Sequence, residues 1–198
     1  LIKQQTFRAK TNNLSAVYDA TTGAFTMDDT TQRGTLQSLT NFVGSQGFER
    51  VKNQISYRSN GTDVRNSTVF YYLDKNGKYA LADAADVQDE ALLKEQRSYR
   101  NGDTTKLQSI TVLAGEQGQE KADRTYNFNT AGHLRSMTIS TYTSGSAAQA
   151  GEDDALIKQQ TFRAKTNNLS AVYNATTGAF TMDDATQKGT LQSLTNFV

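Results

Sequence analysis

Apolar and polar positions along this chain alternate over short runs, the period of a strand with one covered face. In STVFYYLD, Val69, Tyr71 and Leu73 fall on one side and Phe70 and Tyr72 on the other. Both sides are apolar, so this run predicts a strand covered on both faces. TKLQSITVLAG (Thr105–Gly115) predicts another strand, with Ile110 and Val112 alternating against polar neighbours. Between such runs come segments with an aromatic or apolar residue, then Asp or Asn, then Gly, then another apolar residue. They are VYDATTGAF (Val17–Phe25), YYLDKNGKY (Tyr71–Tyr79), YNFNTAGHL (Tyr126–Leu134) and VYNATTGAF (Val172–Phe180). Each predicts a β-hairpin. Asp and Asn bond their own backbone in turns, and Gly supplies positive φ without steric cost. Asn76-Gly77 inside KNGK has the sequence of a two-residue type I′ turn.

A second phrase precedes the hairpins: LIKQQTFR (Leu1–Arg8), RVKNQISYR (Arg50–Arg58), LLKEQRSYR (Leu92–Arg100) and LIKQQTFR again (Leu156–Arg163). It reads as the strand that pairs with each hairpin. Phe7, Tyr57, Tyr99 and Phe162 occupy its aromatic position and are expected to form one row on a sheet face. Two connectors carry helical signals. TLQSLTNFVG places Leu36, Leu39, Phe42 and Val43 on one helical face, with Thr35 as N-cap and Gly44 as stop. DVQDEALLKEQ has Asp86 as a cap and acids in its first turn. The expected fold is mainly β: antiparallel hairpin repeats in an extended or curling sheet, with one or two short helices in connectors.

The largest regularity is longer. Residues 1–43 and 156–198 match at all but three of 43 positions: Asp19/Asn174, Thr30/Ala185 and Arg33/Lys188. The chain therefore reads as one 155-residue period followed by the start of the next. The expected organisation is a repeat unit at 1–143, made of hairpin modules at about 1–49, 50–91 and 92–143. A joint at 144–155 and the opening of the next repeat at 156–198 follow. Turn positions Asp19, Asp74, Asn129 and Asn174 lie 55, 55 and 45 residues apart. TSGSAAQAGEDDA (Thr143–Ala155), small, polar and acidic, supplies the joint.

Composition narrows the chemistry. A formal net charge of +1, with Lys and Arg scattered singly, argues against a nucleic-acid binder. No apolar run reaches the roughly 20 residues of a membrane span. Cysteine is absent, which excludes disulfides, Cys-ligated zinc and thiol catalysis. Proline is absent too, against rigid Pro-rich stalks. The single histidine, His133, follows a turn glycine, where a solvated side chain is the ordinary outcome. Acidic pairs at Asp28–Asp29 and Asp89–Glu90 and the triplet Glu152–Asp154 read as turns and solvated loops rather than a catalytic pair. GEDDA (Gly151–Ala155) is the one stretch that could offer oxygens to calcium, but the calcium-loop pattern is absent. Thr-rich TISTYT (Thr138–Thr143) is not sustained as a repeated row. Sequons begin at Asn13, Asn60, Asn66, Asn168 and Asn174 in a chain rich in Asn, Ser and Thr. No catalytic, cofactor-binding or metal-ligating residue is assigned, and no cofactor is expected.

YNFNTAGHLRSMTIS and YYLDKNGKYALA resemble the YD repeats of rearrangement-hotspot and wall-associated bacterial proteins. Tyr126, Phe128, Asn129, Gly132 and Leu134 fall on that pattern, as do Tyr72, Asp74, Gly77 and Tyr79. The resemblance implies hairpins paired side by side in long curling sheets. The near-identical long period resembles the organisation of giant bacterial surface proteins, adhesins and fibres. The expectation is a non-enzymatic structural or adhesive segment, extracellular or on the cell surface, whose partners are neighbouring copies of the same repeat. The alternatives are a glycan- or host-protein-binding β module using Tyr57, Tyr71, Tyr72 and Tyr99, or a YD-repeat-like shell segment.

Overall fold

The computed structural model describes residues 2–10, 17–26, 33–165, 172–181 and 188–197. It holds fifteen strands and no helix among the described residues. The strands are β1 (Lys3–Ala9), β2 (Val17–Asp19), β3 (Ala24–Thr26), β4 (Arg33–Val43), β5 (Arg50–Tyr57), β6 (Val64–Leu73), β7 (Tyr79–Leu81) and β8 (Leu93–Arg100). There follow β9 (Leu107–Ala114), β10 (Lys121–Phe128), β11 (Leu134–Tyr142), β12 (Leu156–Ala164), β13 (Val172–Tyr173), β14 (Phe180–Thr181) and β15 (Lys188–Asn196). Eleven strands form one open sheet in the order β1-β4-β5-β6-β8-β9-β10-β11-β12-β15, with β7 on β6. Pairs β2-β3 and β13-β14 are separate two-stranded hairpins, inserted between β1 and β4 and between β12 and β15. Every pairing is antiparallel.

The helix expected at Thr35–Gly44 is strand β4. Phe7 pairs with Leu36 and Thr6 with Ser38, leaving Gln37 as an extra residue, and Gln5 pairs with Leu39. This bulge shifts side-chain parity by one residue, so Leu36 and Leu39 share a face although three apart. A β-bulge thus produced a spacing that reads as helical. The second helix expectation also fails. Residues 82–92 are turns, and Leu93 opens β8. The Asp86 carboxylate does not cap a helix but pairs with Lys75 at 2.6 Å.

All four predicted hairpins form, and their glycines, Gly23, Gly77, Gly132 and Gly178, have φ between 67° and 80°. The turn type at KNGK differs from expectation. Asp74 accepts the Gly77 N–H on its carbonyl, and its Oδ1 takes the N–H groups of Asn76 and Lys78, both at 2.8 Å. That cap selects a type I turn closed by a left-handed glycine. Type I′ geometry occurs instead at Asn101-Gly102, with φ of 53° and 73° and a 2.9 Å bond from Asp103 N–H to Arg100 O. The aromatic residues of the strand phrase do not form one row. Through Ser67, Tyr99 stands level with Ile55, two residues from Tyr57. Phe162 stands level with Arg97 across Met137, Tyr126 and Ile110.

The two near-identical segments pair in the same way. Phe7, Gln5 and Lys3 meet Leu36, Leu39 and Asn41, while Phe162, Gln160 and Lys158 meet Leu191, Leu194 and Asn196. The bulges fall at equivalent places. Their surroundings differ. β1 is a sheet edge, and Ala9 is exposed, whereas β12 lies against β11, and Phe162 and Ala164 are buried. β15 is the opposite edge, exposing Leu191 and Leu194, and Phe197 just past its end is exposed too.

Two apolar clusters result. Ile110, Tyr126, Phe128, Leu134, Met137, Phe162 and Ala164 form the larger, with Phe180 packed against it. The smaller joins Tyr72 to Ala82 and Val87, with Phe70 alongside. Strand alternation places Phe70 and Tyr72 on the face opposite Tyr71, so β6 is covered on both sides as its pattern predicts. The Thr143–Ala155 segment does not interrupt the sheet, because Tyr142 pairs with Leu156 at its base. Lys121 Nζ donates to the carbonyls of Glu152 (3.2 Å) and Asp154 (2.5 Å), and the Asp154 carboxylate accepts from Ser144 and the Gly151 N–H. An ammonium therefore holds two of the backbone carbonyls of GEDDA.

Candidate functional site

The most elaborated polar constellation is on β8. Its alternate residues Glu95, Arg97 and Tyr99 all point into the sheet's covered face. Elsewhere the strand phrase places uncharged residues at these inward positions, Asn53 and Ile55 in β5. Here a carboxylate and a guanidinium stand two residues apart on one side, close enough to pair. Arg97 Nε donates to Glu95 Oε2 at 2.6 Å, and the side chains are only 5% and 1% exposed.

Burying an ion pair is unfavourable unless its remaining donors and acceptors are also satisfied. Here they are satisfied by the hairpin β13-β14, more than 80 residues away in sequence. Arg97 Nη2 donates to Gly178 O at 2.6 Å, and the Phe180 N–H donates to Glu95 Oε1 at 3.1 Å. The guanidinium lies 3.6 Å from the centre of the Tyr71 ring and 4.5 Å from that of Phe180. It is thus stacked between an aromatic of the sheet and one of the hairpin. A third bond runs from the Tyr79 N–H, in β7, to Thr177 O at 2.7 Å. Gly178 is buried, and a Cβ there would run into the Tyr79 carbonyl oxygen. Glycine is therefore required by close approach as well as by its φ of 71°.

Burial raises the Glu95 pKa, against the opposing pull of Arg97 and of the Phe180 N–H. Burial also raises the Tyr79 phenol, with the Glu95 charge adding to it, and raises Tyr99 strongly. The arrangement reads a peptide backbone: one carboxylate for an N–H, one guanidinium for a carbonyl, one edge N–H for a second carbonyl. It is a seat for a hairpin.

The remaining sequence candidates are dispersed. Tyr72 and Tyr99 are buried, Tyr71 is stacked under Arg97 and Tyr57 is partly buried, so they make no open aromatic platform. The His133 N–H closes the Asn129 turn at 3.0 Å. Asp89 pairs with Arg50 at 3.1 Å. Asp28–Asp29, Asn13 and Asn168 lie outside the described residues. Asn60 and Asn174 cap their own turns, and Asn66 is within β6. Thr138 pairs its hydroxyl with Thr161 (2.9 Å), as Thr111 does with Thr125 (3.1 Å), making a short hydroxyl row on the other face. Among the described residues no group of His, Cys, Asp and Glu could hold a metal ion. Among the described residues no helix is long and apolar enough to cross a membrane. A shallow cavity of about 380 Å³ beside the seat is lined by Tyr99, Arg100, Lys106, Gly132 and Phe180, among others.

The seat was not foreseen from the sequence. Its visible signal is the charged Glu-x-Arg at inward positions of a repeated strand phrase. No protein family, curated protein or solved structure matches this chain.

Proposed function

We propose that the chain is a structural or adhesive segment of a long extracellular surface protein or fibre, in which successive 155-residue periods add strands to one growing sheet. One observation carries this reading. The second copy of the repeated text joins the first unit's sheet without a break, in the register that the first copy adopts at the other end. The free edges fit the same scheme. β15 exposes leucines whose counterparts Leu36 and Leu39 are partly buried in β4, beside β5. The hairpin text shared with YD repeats is consistent with side-by-side addition of this kind. Partners under this reading are neighbouring copies of the repeat.

One period contributes eight strands to the sheet path, β1, β4, β5, β6, β8, β9, β10 and β11. At about 4.8 Å per strand, each period should lengthen the sheet by about 38 Å along its path. Chains lengthened by one and two further periods, compared by small-angle scattering, should gain maximum dimension in equal steps. Chains that instead collapse into separate compact bodies joined by flexible segments would refute the continuous-sheet reading. Protease treatment of intact cells tests the location: a surface segment is cleaved and an internal one is spared.

A further inference from the structure

Asn-Gly pairs stand in turns at Asn60-Gly61, Asn76-Gly77 and Asn101-Gly102. An asparagine before glycine can close on itself. The glycine nitrogen attacks the side-chain carbonyl carbon, and glycine has no side chain to hinder the approach. The turns treat that nitrogen differently. The Gly61 N–H donates to Arg58 O at 2.9 Å and the Gly77 N–H to Asp74 O at 3.0 Å, so both nitrogens are engaged. Gly102 is the second of the two tip residues of its turn, and among the described residues its N–H meets no acceptor.

The carbonyl under attack differs as well. Asn60 Oδ1 takes the neutral N–H groups of Thr62 and Asp63. Asn76 turns its amide nitrogen towards the Asp86 carboxylate at 3.5 Å. Asn101 instead faces a cation, with its Oδ1 accepting from Arg58 Nη2 at 3.0 Å. Arginine has donors only, so the oxygen of the amide must be the atom that faces it. Asn101 is also the one non-glycine residue at positive φ among the described residues. Both Asn101 and Gly102 are exposed, so hydroxide and water reach them.

We propose that Asn101-Gly102 is a self-modification site, at which Arg58 promotes loss of the Asn101 amide and a carboxylate takes its place. Hydroxide removes the Gly102 amide proton, the nitrogen bonds to Asn101 Cγ, and negative charge collects on Oδ1. The guanidinium already stands against that oxygen, as a donor placed for the charged intermediate. The Cγ–Nδ2 bond then breaks, and Nδ2 leaves as ammonia with a proton from water. A second water opens the cyclic imide. Opening at Cγ leaves aspartate. Opening at the Asn101 backbone carbonyl leaves isoaspartate, with one more carbon in the main chain of a two-residue turn. The aspartate product sets its carboxylate against Arg58. The hydrogen bond between the β5–β6 and β8–β9 connections then becomes an ion pair. This chemistry is independent of how periods follow one another in an array.

The test incubates the full chain at mildly alkaline pH and reads amide-to-acid conversion at positions 60, 76 and 101 by peptide mass spectrometry. In the folded chain Asn101 should convert ahead of Asn60 and Asn76. In urea sufficient to unfold the chain, the three rates should converge. Arg58→Met should slow Asn101 about tenfold, the worth of one charge-assisted hydrogen bond made in the transition state, and leave Asn76 at its parent rate. Hydrogen exchange at the Asp103 amide, which closes the turn on Arg100 O, reports whether the turn itself has changed. The proposal is overturned if Asn60 or Asn76 converts as fast as Asn101 in the folded chain, or if the order persists undiminished in urea. It is equally overturned if Arg58→Met converts Asn101 at the parent rate or faster, or if its slowing is matched by an equal slowing of Asp103 exchange.

Discussion

Replacing Phe162 and Phe7 by alanine, one at a time, makes the same change in the same local text. Residues 1–18 and 156–173 are identical, so strand propensity and unfolded-chain effects cancel between the two variants. A cation stacks on the ring in both copies, Arg33 at 4.3 Å from the Phe7 ring centre and Lys188 at 4.0 Å from that of Phe162. What differs is the neighbourhood. Phe162 is 7% exposed within the larger cluster, facing Met137 across the strand pair. Phe7 is partly exposed on an edge strand, where a void would open to water. Phe162→Ala should lose both transfer and cavity contributions, about 3–5 kcal/mol. Phe7→Ala should lose transfer alone, about 1.5–2 kcal/mol. Urea unfolding of both variants beside the parent, with m-values compared, measures the difference. Costs within about 0.5 kcal/mol of each other would refute the claim that burial by the neighbouring strand, rather than local sequence, sets the stability of this segment.

Other expectations follow from the seat and the turns. Arg97→Ala strands a carboxylate that is 1% exposed and should cost about 3–5 kcal/mol, whereas Glu95→Leu/Arg97→Met should recover part of that loss in the same urea assay. Burial pushes the Tyr72 phenol up to about 12. The folded state holds that proton more tightly than the unfolded chain, so stability should fall as pH rises from the ordinary tyrosine value of about 10 towards 12. Ultraviolet absorbance should show Tyr72 and Tyr99 ionising above the ordinary tyrosine range. At acid pH the sign reverses. The Lys78 N–H, and then that of Asn76, hold the Asp74 carboxyl below its ordinary range. Its cap is fully present above the usual aspartate value and is lost as pH falls through the lowered one. The Asn129 turn makes the equivalent bonds with an amide that does not titrate, so acid should speed exchange of the Gly77 amide and spare that of Gly132.

Hairpins were legible because their chemistry is local. An Asx cap and a glycine at positive φ announce a turn whatever surrounds it, and all four predicted turns formed. Even so, the same dipeptide gave two turn types, since Asp74 captured the N–H groups around Asn76-Gly77 and Asn101-Gly102 had no such competitor at its first position, where Arg100 stands. Strand β4 was misread because an extra residue, Gln37, restored two leucines three apart to a common face. The seat lay beyond local reading. Its two halves are 81 and 85 residues apart, and only the fold brings Arg97 to Gly178 and Glu95 to Phe180.

The order of strands in the sheet follows their order in the chain, apart from the short β7 and the inserted hairpins. Each new strand therefore finds its partner among residues made just before it, and loop closure costs little at every step. Such a sheet can be laid down from one end while the polypeptide is still being synthesised. Contacts reaching back over 80 residues, made by the hairpin tip at Thr177–Phe180, come at the end of that sequence. The tip then acts as a latch that checks the work: it closes only over a β8 already flanked by its neighbours, and a misregistered sheet would leave an ion pair exposed where the latch should fall.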